Sequence, residues 1–132
     1  MAKILLDTNI LLDAIFFPNK LAKKAKDILE DENNTIYVSA TSLIEISIKH
    51  SKHPKLMPID STFITNLLNE NDIDILPISP NISVVLEDLM SENIHNDPFD
   101  HLLLATATLE NCSLLTKDQV LGKYKNSHTI IV

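Results

Sequence analysis

Short apolar runs alternate with amphipathic stretches along the whole chain. Ile4-Leu5-Leu6 is a continuous apolar run that meets the polar Asp7-Thr8-Asn9, the pattern of a buried strand delivering side chains to its carboxyl end. Ile10 to Phe17 reads as a short helix stopped before Pro18. Lys20 to Glu30 reads as a second, with Leu21, Ala25, Ile28 and Leu29 on one face. Thr35-Ile36-Tyr37-Val38 is β-branched and aromatic enough for a strand, after which Ser39 or Thr41 can cap a helix running to about Lys49. Pro54 and Pro58 mark the stretch from Ser51 to Asp60 as a loop. Asp60-Ser61 then opens a helix through Phe63, Ile64, Leu67 and Leu68. Ile73 to Leu76 is a short strand closed by Pro77, followed by a helix over Ile82 to Met90, a polar turn at Asn93 to Asp97 and a helix from Pro98 to Leu109. Cys112 to Leu115 is the next strand, Lys117 to Leu121 one helical turn, and Thr129 to Val132 a final strand.

Short apolar strands separated by helices predict an α/β fold of three layers, because parallel neighbours need a crossover and the crossover is usually a helix. The 132 residues fit a single domain spanning 1–132. In such a fold the polar residues at strand ends lie along one edge of the sheet, where chemistry is expected.

Composition narrows the function. The chain is 45% hydrophobic and 22% charged, enough for a substantial core and too apolar for a disordered segment. Its formal charge of −7 argues against nonspecific coating of duplex nucleic acid. All 11 cationic residues are lysines, so the bidentate arginine fork is unavailable within the chain. Cys112 is the only cysteine, which removes intrachain disulfides and thiolate zinc sites and fits a cytoplasmic location. The N-terminal residues do not read as a secretory signal, and no apolar run reaches the ~20 residues that span a bilayer, so no membrane association is expected.

The acids carry the chemical argument. Asp7 follows the first strand, where it can simply cap the next helix. Glu45 interrupts the apolar Leu43-Ile44-Glu45-Ile46-Ser47-Ile48 and needs either a partner or a site; an i,i+4 pair with Lys49 is the structural alternative. Asp97-Pro98-Phe99-Asp100 is explained locally by an N-cap, a proline in the first turn and an acid that complements the helix dipole. Asp118 falls after the Leu114-Leu115-Thr116 strand tip. Carboxylates converging from these places would repel one another unless a divalent cation joined them, and oxygen-only ligation selects Mg²⁺ or Mn²⁺. Such ions suit phosphodiester hydrolysis.

Four stretches also carry a family resemblance: Ile4 to Leu12, Ser39 to Ile46, Asp97 to Ala107, and Leu115-Thr116-Lys117-Asp118. In this order they resemble the motifs of PIN-domain ribonucleases, especially VapC-type toxins. The resemblance implies a PIN fold and a Mg²⁺- or Mn²⁺-dependent endoribonuclease, the toxin of a toxin–antitoxin pair that inhibits translation. Carried over, Asp7, Glu45 and Asp100 would be the core metal-binding acids and Asp118 the fourth. Thr8 and Thr116 would support them, Asn9 would serve as a turn or bracing residue, and Asp97 would be the helix cap. Where the family often has Arg after the last Asp of the Asp-Pro-Phe-Asp motif, this chain has His101. The resemblance further implies a homodimer and a cognate antitoxin whose C-terminal segment occupies the acidic groove.

The lysines cluster. Lys20, Lys23, Lys24 and Lys26 lie on the second helix, while Lys49, Lys52 and Lys55 follow the helix that carries Glu45. The latter three could track an RNA backbone toward the acids, or complement a helix C-terminus. With no Trp, base stacking contributes little to RNA choice. Other readings stay open. A haloacid-dehalogenase-like phosphatase wants an Asp where Asn9 stands. A metal-free ribonuclease would use His95 or His101 as acid or base. A catalytically silent PIN-like module would bind RNA or protein and use its acids only as caps.

Overall fold

The computed structural model describes residues 2–94, 96–124 and 128–132. In chain order the elements are β1 (Lys3–Leu6), α1 (Thr8–Phe16), a 3₁₀ turn (Pro18–Lys20), α2 (Lys23–Glu30), β2 (Thr35–Ser39), α3 (Ala40–Lys52) and α4 (Ser61–Glu70). Then come β3 (Asp74–Leu76), α5 (Ile82–Ser91), α6 (Pro98–Leu109), β4 (Ser113–Thr116), a second 3₁₀ turn (Gln119–Lys123) and β5 (Thr129–Ile131). The strands form one parallel sheet in the order β3-β2-β1-β4-β5.

Side-chain alternation along the central strands divides the core into two layers. Leu5 and Leu114 point to one face, where they meet Ile82 and Leu89 of α5 and Leu103, Leu104 and Ala107 of α6. Ile4, Leu6 and Leu115 point to the other, against Ile10 and Leu11 of α1, Ala25 of α2, Ile46 of α3, and Ile64 and Leu68 of α4. A strand buried on both faces has no polar side to show, which is why β1 and β4 read as continuous apolar runs. Cys112 is buried beside this core, and burial pushes its thiol pKa up.

Local chemistry sets the element ends. Ser39 accepts from the Thr41 amide and caps α3, so of the two candidate caps Ser39 is the one used, and the helix extends past Lys49 to Lys52. The segment expected as one helix from Lys20 to Glu30 is instead a 3₁₀ turn and α2, separated at Leu21 and Ala22, because Pro18 sets the first turn and Leu21 turns extended. The expected turn from Asn93 to Asp97 includes His95, which lies outside the described residues. With a single glycine in the chain, other residues must take the left-handed conformation after helices. Asp72, Asn93 and Asn111 do so, with φ of 55°, 53° and 57°. After α4 and α6 the chain closes back on the helix, Ile73 N donating to Leu68 O and Cys112 N to Ala107 O.

The order of strands places the tip of β1 between the tips of β2 and β4. Whatever follows those three strands therefore gathers at the middle of the carboxyl edge.

Candidate active site at the carboxyl edge of the sheet

Asp7 stands directly after β1, at the centre of the sheet, and is buried. Both of its carboxylate oxygens are held: Oδ1 accepts from the Thr8 amide at 2.7 Å and Oδ2 from the Thr116 hydroxyl at 2.6 Å. Asp7 is also the N-cap of α1, so the capping role foreseen for it is real. A carboxylate has about four lone-pair positions, and two donors leave room for a further ligand. Thr116, fully buried at the end of β4, serves twice, because its hydroxyl oxygen also accepts from the Asp118 amide at 3.0 Å. Thr8 donates from its own hydroxyl to Ser42 Oγ on α3 at 2.9 Å, tying α1 to α3. Ser42 lay inside one of the sequence motifs without being singled out.

Around Asp7 opens a cleft of about 420 Å³ lined by Thr8, Asn9, Glu45, Lys49, Asp97, Asp100, Lys117 and Asp118. Glu45 reaches it from α3, and its ion pair with Lys49, at 3.3 Å, is present as the i,i+4 spacing allows. The pairing and the place in the cleft thus coexist. Asp97 caps α6 through the Phe99 amide at 2.9 Å, with Asp100 in the first turn. Asp118 caps the second 3₁₀ turn through the Val120 amide at 3.0 Å. Every acid singled out in the sequence therefore lines the same cleft, several of them while also capping an element. Asn9 is exposed in the lining, and Thr116 acts from beneath it. Of the lysines proposed for RNA, Lys49 lines the cleft, whereas Lys52 and Lys55 are exposed at and beyond the end of α3, outside the lining.

Electrostatics follow from this crowding. Burial pushes the Asp7 carboxyl above its ordinary value of 3.8. The Thr116 and Thr8 hydrogen bonds pull it back, while the negative charges of Glu45 and Asp118 raise it again. The donor set is all oxygen and anionic, which suits a hard divalent cation such as Mg²⁺ or Mn²⁺. Among the described residues, however, no three Asp, Glu, His or Cys side chains are already drawn together as a metal-holding group. The acids share a cleft rather than a closed cage.

Two residues alter the sequence picture. His101, a candidate acid or base, is buried in the core and its Nε2 is 2.7 Å from the Tyr124 hydroxyl. The two rings pack edge to face. That position removes His101 from a metal-free mechanism in the cleft, since it is not part of the lining. Asp13, by contrast, was missed. It is buried on α1 and pairs with the ammonium of Lys117. The signal was available: Asp13 interrupts the apolar Ile10-Leu11-Leu12 and Ala14-Ile15 as Glu45 interrupts its own helix.

A family model described as PIN domain matches residues 4–126 of the chain. An uncharacterized protein of Methanocaldococcus jannaschii is 29% identical over 118 residues, 89% of this chain and 71% of that protein. Among solved structures the chain is similar to VapBC2 from Rickettsia felis bound to a DNA fragment from their promoter, with a TM-score of 0.76, 24% identity and 98% of both chains covered. It is similar also to DNA-bound VapBC from Salmonella typhimurium, with a TM-score of 0.71, 14% identity, and 99% of this chain and 98% of that one covered. For VapBC-1 from nontypeable Haemophilus influenzae the TM-score is 0.67 and the identity 17%, over 98% of this chain and 97% of that one. At these identities the likeness to the solved structures is one of fold.

Proposed function

The chain belongs to the PIN domain family, and from that membership together with the acid-lined cleft we propose that it is a metal-dependent endoribonuclease, the toxin of a toxin–antitoxin pair that arrests translation by cutting RNA. The observation that carries this reading is the meeting of Asp7, Glu45, Asp97, Asp100 and Asp118 around one cleft although they come from four separate segments. Caps alone do not require helices and turns to aim their acids at a common space. In this reading Asp7, Glu45, Asp100 and Asp118 hold Mg²⁺ or Mn²⁺, and Asp97 shapes the start of α6. The bound ion supplies Lewis acidity and a water of lowered pKa. Thr116 and the Thr8 amide fix the Asp7 carboxylate so that it need not reorganise, and Asn9 offers an amide at the rim.

The deciding experiment incubates the purified chain with RNA in Mg²⁺, Mn²⁺ or EDTA, beside the Asp7→Asn variant. Cleavage is expected with either ion, absent in EDTA, and lowered about 100-fold or more by Asp7→Asn, the usual scale for losing one preorganised charge-stabilising group. Cleavage that survives both EDTA and Asp7→Asn rules this reading out. RNA binding with no cleavage under any condition, unaffected by Asp7→Asn, selects the silent module instead.

A cognate antitoxin is part of the same proposal. VapBC assemblies recur among the structural neighbours, and a chain with no arginine leaves its carboxylates open to guanidinium groups supplied by a partner. Exposed Leu56, Phe17 and Phe63 add apolar surface suited to a protein partner. A partner complex in which no arginine approaches Asp7 or Asp118 contradicts the inhibitory part. We propose a homodimer as well, for which exposed Ile44, Ile48 and Val84 provide apolar area; sedimentation as a monomer at micromolar concentration counts against it. A reducing cytosol is the setting proposed for this activity. Among the described residues no helix is long and apolar enough to cross a membrane.

A further inference from the structure

Lys117 and Asp13 are not explained by the acid chemistry of the cleft. The Asp13 carboxylate is almost fully withdrawn from water, its side chain only 11% exposed, and a buried anion needs a cation beside it. Lys117 supplies that cation from a distant part of the chain, the residue after β4. Its own side chain nevertheless stays 46% exposed and lines the cleft. An ammonium has three donor hydrogens, and a pair with one carboxylate leaves hydrogens for a second acceptor. Lys117 is therefore held from inside by Asp13 while its charge remains presented to whatever enters.

The topology gives that charge a direction. Asp7 stands at the tip of β1, with β2 on one side and β4 on the other. Lys49 lines the cleft from α3, which follows β2, and Lys117 lines it from the end of β4. The two lysines thus enter the cleft from different elements, and each is tethered to a carboxylate, Lys49 to Glu45 and Lys117 to Asp13. A polyanion is repelled by an acid-lined cleft unless cations offset the carboxylates, and tethered lysines lose less side-chain freedom on contact than free ones.

We propose that Lys117, preset by Asp13, is a phosphate-binding residue of the cleft, gripping the RNA backbone on the side opposite Lys49. The inference rests on the nuclease reading and deepens it, because it assigns the path of the strand: across the carboxyl edge of the sheet, from the α3 side over Asp7 to the β4 side. Asp13 is a positioning residue in this scheme and touches no substrate.

The test measures binding of a fluorescein-labelled single-stranded RNA by anisotropy over a range of salt, in an Asp7→Asn background that does not cut. Lys117→Met combined with Asp13→Asn removes both charges together, so no lone buried carboxylate remains to unfold the chain. Lys117→Gln, which can still donate to Asp13, serves as a second neutral variant, and Lys117→Arg as the charge-retaining control. Either neutral variant is expected to bind RNA about tenfold more weakly, as for one lost charge-assisted contact. The slope of log affinity against log salt is expected to shrink by about 0.7, the value for one phosphate contact on a single strand. Lys117→Arg is expected to keep both. Unchanged affinity and slope in folded neutral variants overturn the inference and leave Lys117 as a tie between α1 and β4, with the nuclease reading untouched. If the unaltered chain neither cuts nor binds RNA, the nuclease reading falls and this inference falls with it.

Discussion

Asp7 is where burial and repulsion act on the same carboxyl. Its folded pKa lies above the unfolded value of 3.8, chiefly through burial and further through Glu45 and Asp118. The folded chain therefore binds that proton more readily than the unfolded chain, and stability falls as pH rises through the window that begins near 3.8 and ends at the raised folded value. Below the window the carboxyl is neutral in both states and the penalty is absent. Above it the penalty is complete. In the absence of divalent ions, Asp7→Asn is thus expected to raise the melting temperature at pH 7. The gain should vanish in scans below pH 3.8. An Asp7→Asn variant that melts lower than the parent at pH 7 would mean that the Thr116 and Thr8 hydrogen bonds outweigh desolvation and repulsion. The same residue shows why site and cap need not compete: one carboxylate satisfies the Thr8 amide and still faces the cleft.

Among the helices, the ends rather than the middles position the chemistry. Asp97 and Asp118 cap the elements they precede, so the backbone amides that fix them are supplied by the very turns they start. Chain reversal after α4, α5 and α6 relies on Asp72, Asn93 and Asn111 in the left-handed region, a conformation in which a β-branched side chain is strained by roughly 1–2 kcal/mol. Asn111 is the informative one, because Cys112 and β4 follow it and β4 delivers Thr116 to Asp7. Asn111→Val is expected to lower stability by about 1–2 kcal/mol in urea titration, while Asn111→Gly, free of that strain, is expected to match or exceed the parent. Equal stability of the Val and Gly variants would show that α6 ends without help from this residue.

Across the molecule, a net charge of −7 coexists with a proposed polyanionic substrate because the positive charge is local. Lys49 lines the cleft, and exposed Lys52 and Lys55 continue from the end of α3. Replacing Lys49, Lys52 and Lys55 together by Glu is expected to weaken RNA cleavage at least tenfold and to flatten its dependence on salt, with the fold intact by circular dichroism. An unchanged rate and salt response would remove this patch from the substrate path.

The strands, most helices, the caps and the identity of the acids were legible along the chain, because they depend on neighbours within a turn or a strand. Ile4-Leu5-Leu6 is apolar on both faces since both faces are covered, and Asp97-Pro98 announces a helix start whatever lies around it. Contacts between residues far apart in sequence were not legible. The family resemblance implies that Thr116 supports the acids, but that its hydroxyl binds Asp7 across 109 positions, and that Asp13 is neutralised by Lys117 across 104, depend on β1 lying beside β4. That His101 turns inward to Tyr124 was signalled by no local pattern. Strand order brings such pairs together, and an interrupted apolar pattern can reveal that a buried charge needs a partner without revealing which side chain the fold will bring to it.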